Sequence, residues 1–430
     1  MLDVRAVRED PETYRAGLGR RNMGAVVDEL LAADERRRQL TVRVEQLRAE
    51  QNRASKAIGG AQGDQKQALI TEVGKVSAEL KTLEPELEGA DAALAQLLAT
   101  TPNLPHPSAP DGFTDEDARE IKRVGEPPSF DFEPKDHVAL GELLGVLDID
   151  RAVRTSGSRF VYLMGDIVFV QFALMRHAMD ILADEGFLPV IPPVLVREQA
   201  MYGTGFLPDA EGQVYTTNED DLYLVGTAEV PLAGMHMGEI IEEASLPLRY
   251  AGYSSCFRRE AGSYGKDLGG MFRVHQFDKV EMFVFTTPEA SWEEHERLLA
   301  IEEKILGHLG FPYRVVNIAA GDLGGPAAKK YDIEGWLPAQ GRYRELTSCS
   351  NTTDYQARRM QTRVRRAGGS IEVLHTLNGT ATAMSRALIA IMENHQRADG
   401  TVALPSSLHP YLPARLRVLE PRTSLPSDGA

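Results

Sequence analysis

Residues 255–283 read SCFRREAGSYGKDLGGMFRVHQFDKVEMF, two apolar, strand-like runs on either side of a glycine-rich loop. The pattern predicts an antiparallel strand pair that carries Arg258, Arg259 and Glu260 to the mouth of the loop and returns through Phe277 to Glu281. Arg258 can fork two donors onto a phosphate or a carboxylate, which a lysine does less well. Glu260, two residues on, is expected on the same strand face, where it can accept from an adenine amino group or a ribose. Phe277 offers a flat surface on which a base can stack. An ordinary Arg–Glu ion pair and a core phenylalanine would use the same residues, so the stretch alone leaves both readings open.

Outward from this stretch, the strand candidates 222–226, 280–286 and 314–319 and the helix candidates 168–185, 288–309 and 386–397 do not alternate regularly. That order predicts an α+β fold, an antiparallel sheet flanked by helices. Neither GxGxxG after a strand nor GxxxxGK[ST] occurs, so the standard nucleotide folds gain no support. Other polar groups could build a nucleotide site differently. In YRELTSCSN (343–351), Glu345 and Ser348 offer hard oxygens suited to Mg²⁺ beside a polyphosphate. Arg386 opens an apolar helical run and could hold a terminal phosphate. In GTAEVPLAG (226–234), Thr227 and Glu229 are expected on one face of an extended segment. With Glu281 they would form a polar pocket with two negative charges, suited to an ammonium and a hydroxyl.

The amino-terminal part has a different period. From Leu69 to Leu97 apolar residues alternate at spacings of four and three, and Leu40, Val44, Leu47, Ala54 and Ile58 keep the same rhythm, with Gln51 as the polar member. GGAQGD (59–64) between the runs can only be a turn, which predicts an antiparallel two-helix coiled-coil arm with helices of ~45–50 Å. Pro85 is expected to kink the second helix. Residues 36–56 carry seven basic groups against two acids, whereas 66–97 carry three against six. A cationic helix can lie along a phosphate backbone, although a solvated helix face or a dimerisation coil would show the same charges. Residues 100–135 hold seven prolines and read as a linker.

Composition sets the outer limits. With 430 residues the chain can form two domains, and its formal net charge of −16 argues against a general nucleic-acid binder while hiding the basic arm. There is no apolar run of about 18 residues, so no membrane partner is expected. The start, MLDVRAVREDPETYRAG, does not read as a secretory leader. Cys256 and Cys349 are too few for a disulfide framework and suit a reduced, cytoplasmic setting.

Taken together, MLDVRAVRED, QNRASKAIGG, GFLPVIPPVLV, VGTAEVPLAG, the 255–283 stretch, YRELTSCSN and HTLNGTATAMSRALIAIMENHQ resemble the bacterial-type seryl-tRNA synthetases, members of the class II aminoacyl-tRNA synthetases. The resemblance runs nearly end to end. It implies a homodimer that activates L-serine with ATP and transfers it to tRNA(Ser), with tRNA(Sec) open as a further acceptor. It implies a tRNA-binding domain over 1–110 and a catalytic domain over 111–415, while residues 416–430, part of a longer and more polar ending than the family's, are expected to form a disordered tail. For ATP it implies Arg258, Arg259, Glu260, Val274, Phe277, the segment Glu345, Leu346, Thr347 and Ser348, and Arg386. Arg258 and Arg386 are the implied catalytic groups, and Glu345 and Ser348 the implied Mg²⁺ ligands. For serine it implies Thr227, Ala228, Glu229, Arg258, Glu281 and Thr380. Lys266 and the arm residues Arg36, Arg43, Arg48, Arg53 and Lys56 are the implied tRNA contacts.

Two positions depart from the family pattern. Thr380 stands where serine is common, in a TATAMS run poor in glycine, and its β-branch narrows the pocket. Gly335 stands where an apolar strand residue is expected. Three other readings compete. One is a paralogue serving a biosynthetic pathway or inhibitor resistance. The others are an amino-acid:carrier-protein ligase, which would lack the arm, and a silent RNA-binding relative, which would lose the charged site residues.

Overall fold

The computed structural model describes residues 1–208, 212–217, 219–261 and 269–421. They form two compact units, Met1–Leu104 and a second that begins at Pro105. The division falls a few residues before the expected 110/111 boundary. The reason is local, because the His106 N–H donates to Ala328 O at 2.8 Å and the Ala320 N–H to Pro110 O at 2.8 Å, which ties 106–110 into the second unit.

The first unit is helical. Helices α1 (Val26–Ile58) and α2 (Gly63–Thr100) pair along the predicted seam. Val44, Leu47, Val76 and Leu80 are buried between them, with Leu83 and Leu87 packed alongside. The polar seam residue is satisfied, since Gln51 Nε2 donates to Ser77 Oγ at 2.8 Å. Helix α2 runs on through Pro85 without interruption. The ends of the pair that lie near Val26 and Leu98 join Leu2, Val7 and Leu18 in a separate small core.

The second unit is built on an eight-stranded sheet. Its strands are β1 (Arg119–Val124), β2 (Leu188–Val190), β3 (Leu248–Phe257), β4 (Gln276–Thr286), β5 (Tyr313–Asn317), β6 (Lys329–Leu337), β7 (Arg342–Thr353) and β8 (His375–Ala383). They lie in the order β1-β5-β6-β7-β8-β4-β3-β2. All neighbours are antiparallel except β2 and β3. This is the expected α+β layout. The central strand β4 is buried from Lys279 to Thr286, and helices α3 (Asp166–Asp184), α4 (Ser291–Leu309) and α5 (Met384–Asn394) bury their apolar faces in the core around the sheet.

Three local expectations change. The 100–135 segment is not all linker, because β1 pairs there with β5. Residues 119–123 are exposed, so backbone pairing and surface ion pairs such as Lys122–Glu303 hold the strand and no apolar alternation marks it. The tail begins later than 416. Val418–Leu419 pairs with Val402–Ala403, and Leu416 and Leu419 are buried. Three apolar residues within a polar stretch were too sparse a signal, and 422–430 lie outside the described residues. At Gly335 a Cβ would come 2.3 Å from Leu346 Cδ1, so the neighbouring strand fills the volume that a side chain would need.

Candidate active site

The strand pair β3–β4 stays in register to Phe257 opposite Gln276, and the site begins where that pairing stops. The Arg258 N–H donates to His275 O at 3.0 Å, its Nε to Gly226 O at 3.3 Å, and its Cζ lies 5.4 Å from the centre of the Phe277 ring. Glu260 does not share a strand face with Arg258, as had been expected. Both residues lie beyond the end of β3, and Glu260 adopts φ +50°. Its carboxylate nonetheless turns back into the same cavity, where it meets Arg273 Nη1 at 3.3 Å. Arg259 is not brought in: its guanidinium sits 5.7 Å from the centre of the Tyr215 ring and its N–H donates to Gln213 O at 2.9 Å.

One side of the cavity is organised around Glu345 on β7. Arg386, at the start of α5, places Nη1 3.2 Å from Glu345 Oε2 and 3.0 Å from Glu345 O, and Lys330 Nζ lies 3.8 Å from Oε1. Burial by itself would raise the Glu345 carboxyl. Lys330, Arg386 and Arg258 outweigh that burial and hold it down at about 2. Ser348 lies three residues on along β7, past an irregularity in the pairing between 345 and 347, and lines the same cavity, as do Val274 and Phe277. Leu346 and Thr347 reach only its edge, since Leu346 is packed in the main core and the Thr347 hydroxyl donates to the buried Glu302 at 3.1 Å.

The other side holds Thr227, Glu229, Glu281 and Thr380. Thr227 Oγ1 donates to Glu281 Oε2 at 3.0 Å, and the Lys279 ammonium pairs with the same oxygen. The 227–229 segment is not extended, because Glu229 opens a short helix, Glu229–Gly234, and donates its N–H to Thr227 Oγ1 at 3.2 Å. Glu229 Oε1 accepts from Gln356 Nε2 at 2.7 Å and from Asn378 Nδ2 at 3.0 Å. Ala228 turns away into the core beside Leu232. Both carboxyls expected to carry the negative charge of this pocket are shifted upward. Burial, and then the charge of Glu281, pushes the Glu229 carboxyl up to about 7, and Lys279 compensates Glu281, whose own carboxyl burial raises.

Several cavity residues escaped the sequence reading. Lys279 and Asn378 stand two residues before Glu281 and Thr380 on their strands, so the period of two carried their signal. Arg273 and Phe272 follow the loop, and nothing in their spacing marked them. Gln356, which does not line the cavity but supports Glu229 from a helix remote in sequence, had no local signal.

In the helical arm, Arg43 Nε donates to Glu79 Oε1 at 2.9 Å and Arg48 Nη2 to Glu84 Oε1 at 2.7 Å, so the acidic helix neutralises part of the basic one. Arg36, Arg53 and Lys56 are exposed. Lys266 lies outside the described residues.

Comparison with known proteins adds independent findings. A seryl-tRNA synthetase N-terminal domain model matches residues 1–105, and a model of the class II tRNA synthetase core domain (G, H, P, S and T) matches 213–395. A serine–tRNA ligase of Streptomyces coelicolor is 50% identical over 425 residues, covering 98% of this chain and 99% of its own. That of Thermobifida fusca is 49% identical over 413 residues, covering 96% and 97%. The crystal structure of seryl-tRNA synthetase from Pyrococcus horikoshii complexed with ATP superposes with a TM-score of 0.92 at 42% identity, covering 98% of this chain and 100% of that one. The cytoplasmic enzyme from Naegleria fowleri in complex with AMP gives 0.88 at 34% identity, covering 98% and 99%.

Proposed function

This chain belongs to the seryl-tRNA synthetases, and from that premise we propose that it activates L-serine with ATP and transfers the seryl group to tRNA(Ser). The observation that carries the reading is one cavity with two chemically distinct sides: a cationic side around Arg258, Arg273 and Arg386, and a buried polar side around Thr227 and Glu281. The first suits a polyphosphate, the second an amino acid with a hydroxyl.

In the first step a serine carboxylate oxygen attacks the α-phosphorus of ATP, the bond to the bridging oxygen breaks, and pyrophosphate leaves. This displacement needs positioning and charge neutralisation rather than a protein nucleophile. Arg258 grips the α-phosphate and the serine carboxylate between them. Phe277 and Val274 pack against adenine, Glu260 reads its amino group, and Arg386 holds the terminal phosphate. In the second step a ribose hydroxyl of the terminal tRNA adenosine attacks the carbonyl carbon, and AMP leaves. Thr227, Glu229, Glu281 and Thr380 receive the ammonium and hydroxyl of serine. A site that hydrogen-bonds this hydroxyl rejects alanine, which would leave buried partners unmatched.

The donors at Glu345 and Ser348 fit Mg²⁺. No group of three or more acidic, His or Cys side chains able to hold a metal occurs among the described residues. A single ionised carboxylate with a hydroxyl is the partial set expected when phosphates and water complete the coordination. When bound, Mg²⁺ would neutralise phosphate charge. The arm presents Arg36, Arg53 and Lys56, together with Arg43 and Arg48 once their acidic partners are displaced, to the tRNA backbone. Leu188, Ile191 and Leu195, exposed by 59%, 83% and 42%, are the apolar surface on which two copies pair as a homodimer. No helix among the described residues is long and apolar enough to cross a membrane, in keeping with work in the cytoplasm beside tRNA. The relatives found give no support to a specialised paralogue.

Amino-acid-dependent ATP–pyrophosphate exchange over the twenty amino acids tests the reading. Exchange with serine, followed by charging of tRNA(Ser) that fails when residues 28–98 are removed, is the expected result. Exchange driven by another amino acid, or none from folded protein, would overturn it. Charging of tRNA(Ser) and tRNA(Sec) transcripts side by side decides the acceptor range.

A further inference from the structure

Phe272 lines the cavity, yet none of the roles above uses it. It is buried, and its ring centre lies 4.9 Å from Arg386 Cζ and 3.9 Å from Arg344 Cζ. Arg386 is thus held in two ways: through Nη1 by the carbonyl and carboxylate of Glu345, and by the π-electrons of a ring. A guanidinium gripped at one donor can still swing about that contact. A ring beside its carbon removes the swing and costs no donor, so the remaining N–H groups stay available to a ligand.

The ring is itself held in place. The Met271 N–H donates to His137 Nε2 at 3.3 Å, which leaves the imidazole proton on Nδ1, donated to Glu393 Oε1 at 3.0 Å. At Gly270 the backbone has φ +76°, and a Cβ there would lie 2.1 Å from His137 Nε2, so the chain crosses directly against the imidazole just before Phe272. Glu393 belongs to α5, the helix that also carries Arg386. Ring and guanidinium are therefore referenced to one rigid element, the ring through His137 and Glu393, the guanidinium through its own backbone.

The geometry points to Phe272 as a positioning residue that fixes the orientation of Arg386 toward the terminal phosphate of ATP, with the His137–Glu393 pair keeping the ring in place. This rests on Arg386 being that phosphate clamp. The test compares Phe272→Leu and Phe272→Tyr in serine-dependent exchange, with inhibition by a non-hydrolysable seryl-adenylate analogue, which has no terminal phosphate, as the second readout. Phe272→Leu should raise KM for ATP about 3- to 10-fold while leaving KM for serine and analogue inhibition unchanged, and Phe272→Tyr should restore KM. In an Arg386→Ala background the leucine change should add nothing. Where leucine lowers the melting temperature, Phe272→Met, closer in volume, replaces it. A leucine variant that alters ATP and analogue binding equally, or that acts equally without Arg386, makes Phe272 a packing residue and overturns the inference. If Arg386→Ala itself leaves KM for ATP unchanged, the clamp reading fails instead.

Discussion

Glu345 and Glu229 are both glutamates in one cavity, and both lose water to the surrounding protein, yet they sit at opposite ends of the carboxyl range. Glu345 is held at about 2 and Glu229 is pushed up to about 7. Burial acts on both in the same direction and is the largest influence on each. The difference lies in the cations. Glu345 faces Lys330 and Arg386, whereas Glu229 faces neutral amides and the charge of Glu281. Arg258 is the group common to both sides, lowering each carboxyl by its charge. Burial thus raises both carboxyls, and only where cations gather closely enough, as around Glu345, is that rise reversed.

The largest test of this contrast removes the shared cation. Arg258→Ala should lower serine-dependent exchange by ~10²–10³-fold with the fold retained by circular dichroism, the scale of losing one preorganised charge donor. A loss of only a few fold would break the picture of one cation serving both sides. Lys330→Gln removes the cation that lies 3.8 Å from Glu345 Oε1 and also pairs with Asp332 at 2.8 Å. Its carboxyl should rise, and the Mg²⁺ concentration giving half-maximal exchange should increase several-fold, read from a Mg²⁺ titration at fixed ATP; an unchanged midpoint would remove Lys330 from the account.

The pH dependence of stability separates the two glutamates by sign. Glu229 is raised in the folded state, so the unfolded chain ionises first as pH climbs. Its contribution is most favourable below about 4.5, falls with rising pH, and levels off above about 7. Glu345 is lowered, so its contribution is present above about 4.5 and is lost as pH falls toward about 2. Glu229→Gln, which cannot ionise, should therefore raise stability at pH 7 by about 1–3 kcal/mol in denaturant titrations and leave it unchanged at pH 4. A gain of equal size at both pH values would show that hydrogen bonding, not charge, limits that position. The smallest effect belongs to the arm, where solvent screens the charges. A double-mutant cycle on Arg43 and Glu79 should return a coupling of ~0.2–1 kcal/mol, and a larger value would mean that the exposed pair behaves like the cavity ones.

The legible parts of this chain were those where one local period persists. The seam from Leu69 to Leu97 announced its helix because every third or fourth side chain had to leave water, and the partner run with Gln51 followed by the same rule. The apolar run at 280–286 announced a strand, and in the structure that run is buried along its whole length. The charged cavity groups Arg258, Glu260, Glu281, Glu345 and Arg386 were named from residue chemistry and family resemblance, and all five line one cavity. Arg259 and Ala228 were named with their neighbours but point elsewhere, because adjacent side chains leave a backbone in different directions.

What only the tertiary structure decided was whatever depends on partners far apart in sequence. The sequence by itself determined the helical arm, the α+β sheet and the set of charged groups available for a site, because periodicity and residue chemistry are local properties. It did not determine that Glu229 would meet Gln356 and Asn378 while Glu345 met Lys330 and Arg386, nor that Leu346 would require a glycine at 335. Those pairings arise when strands and helices separated by many residues pack together, and the sign of each charge effect follows from who stands opposite.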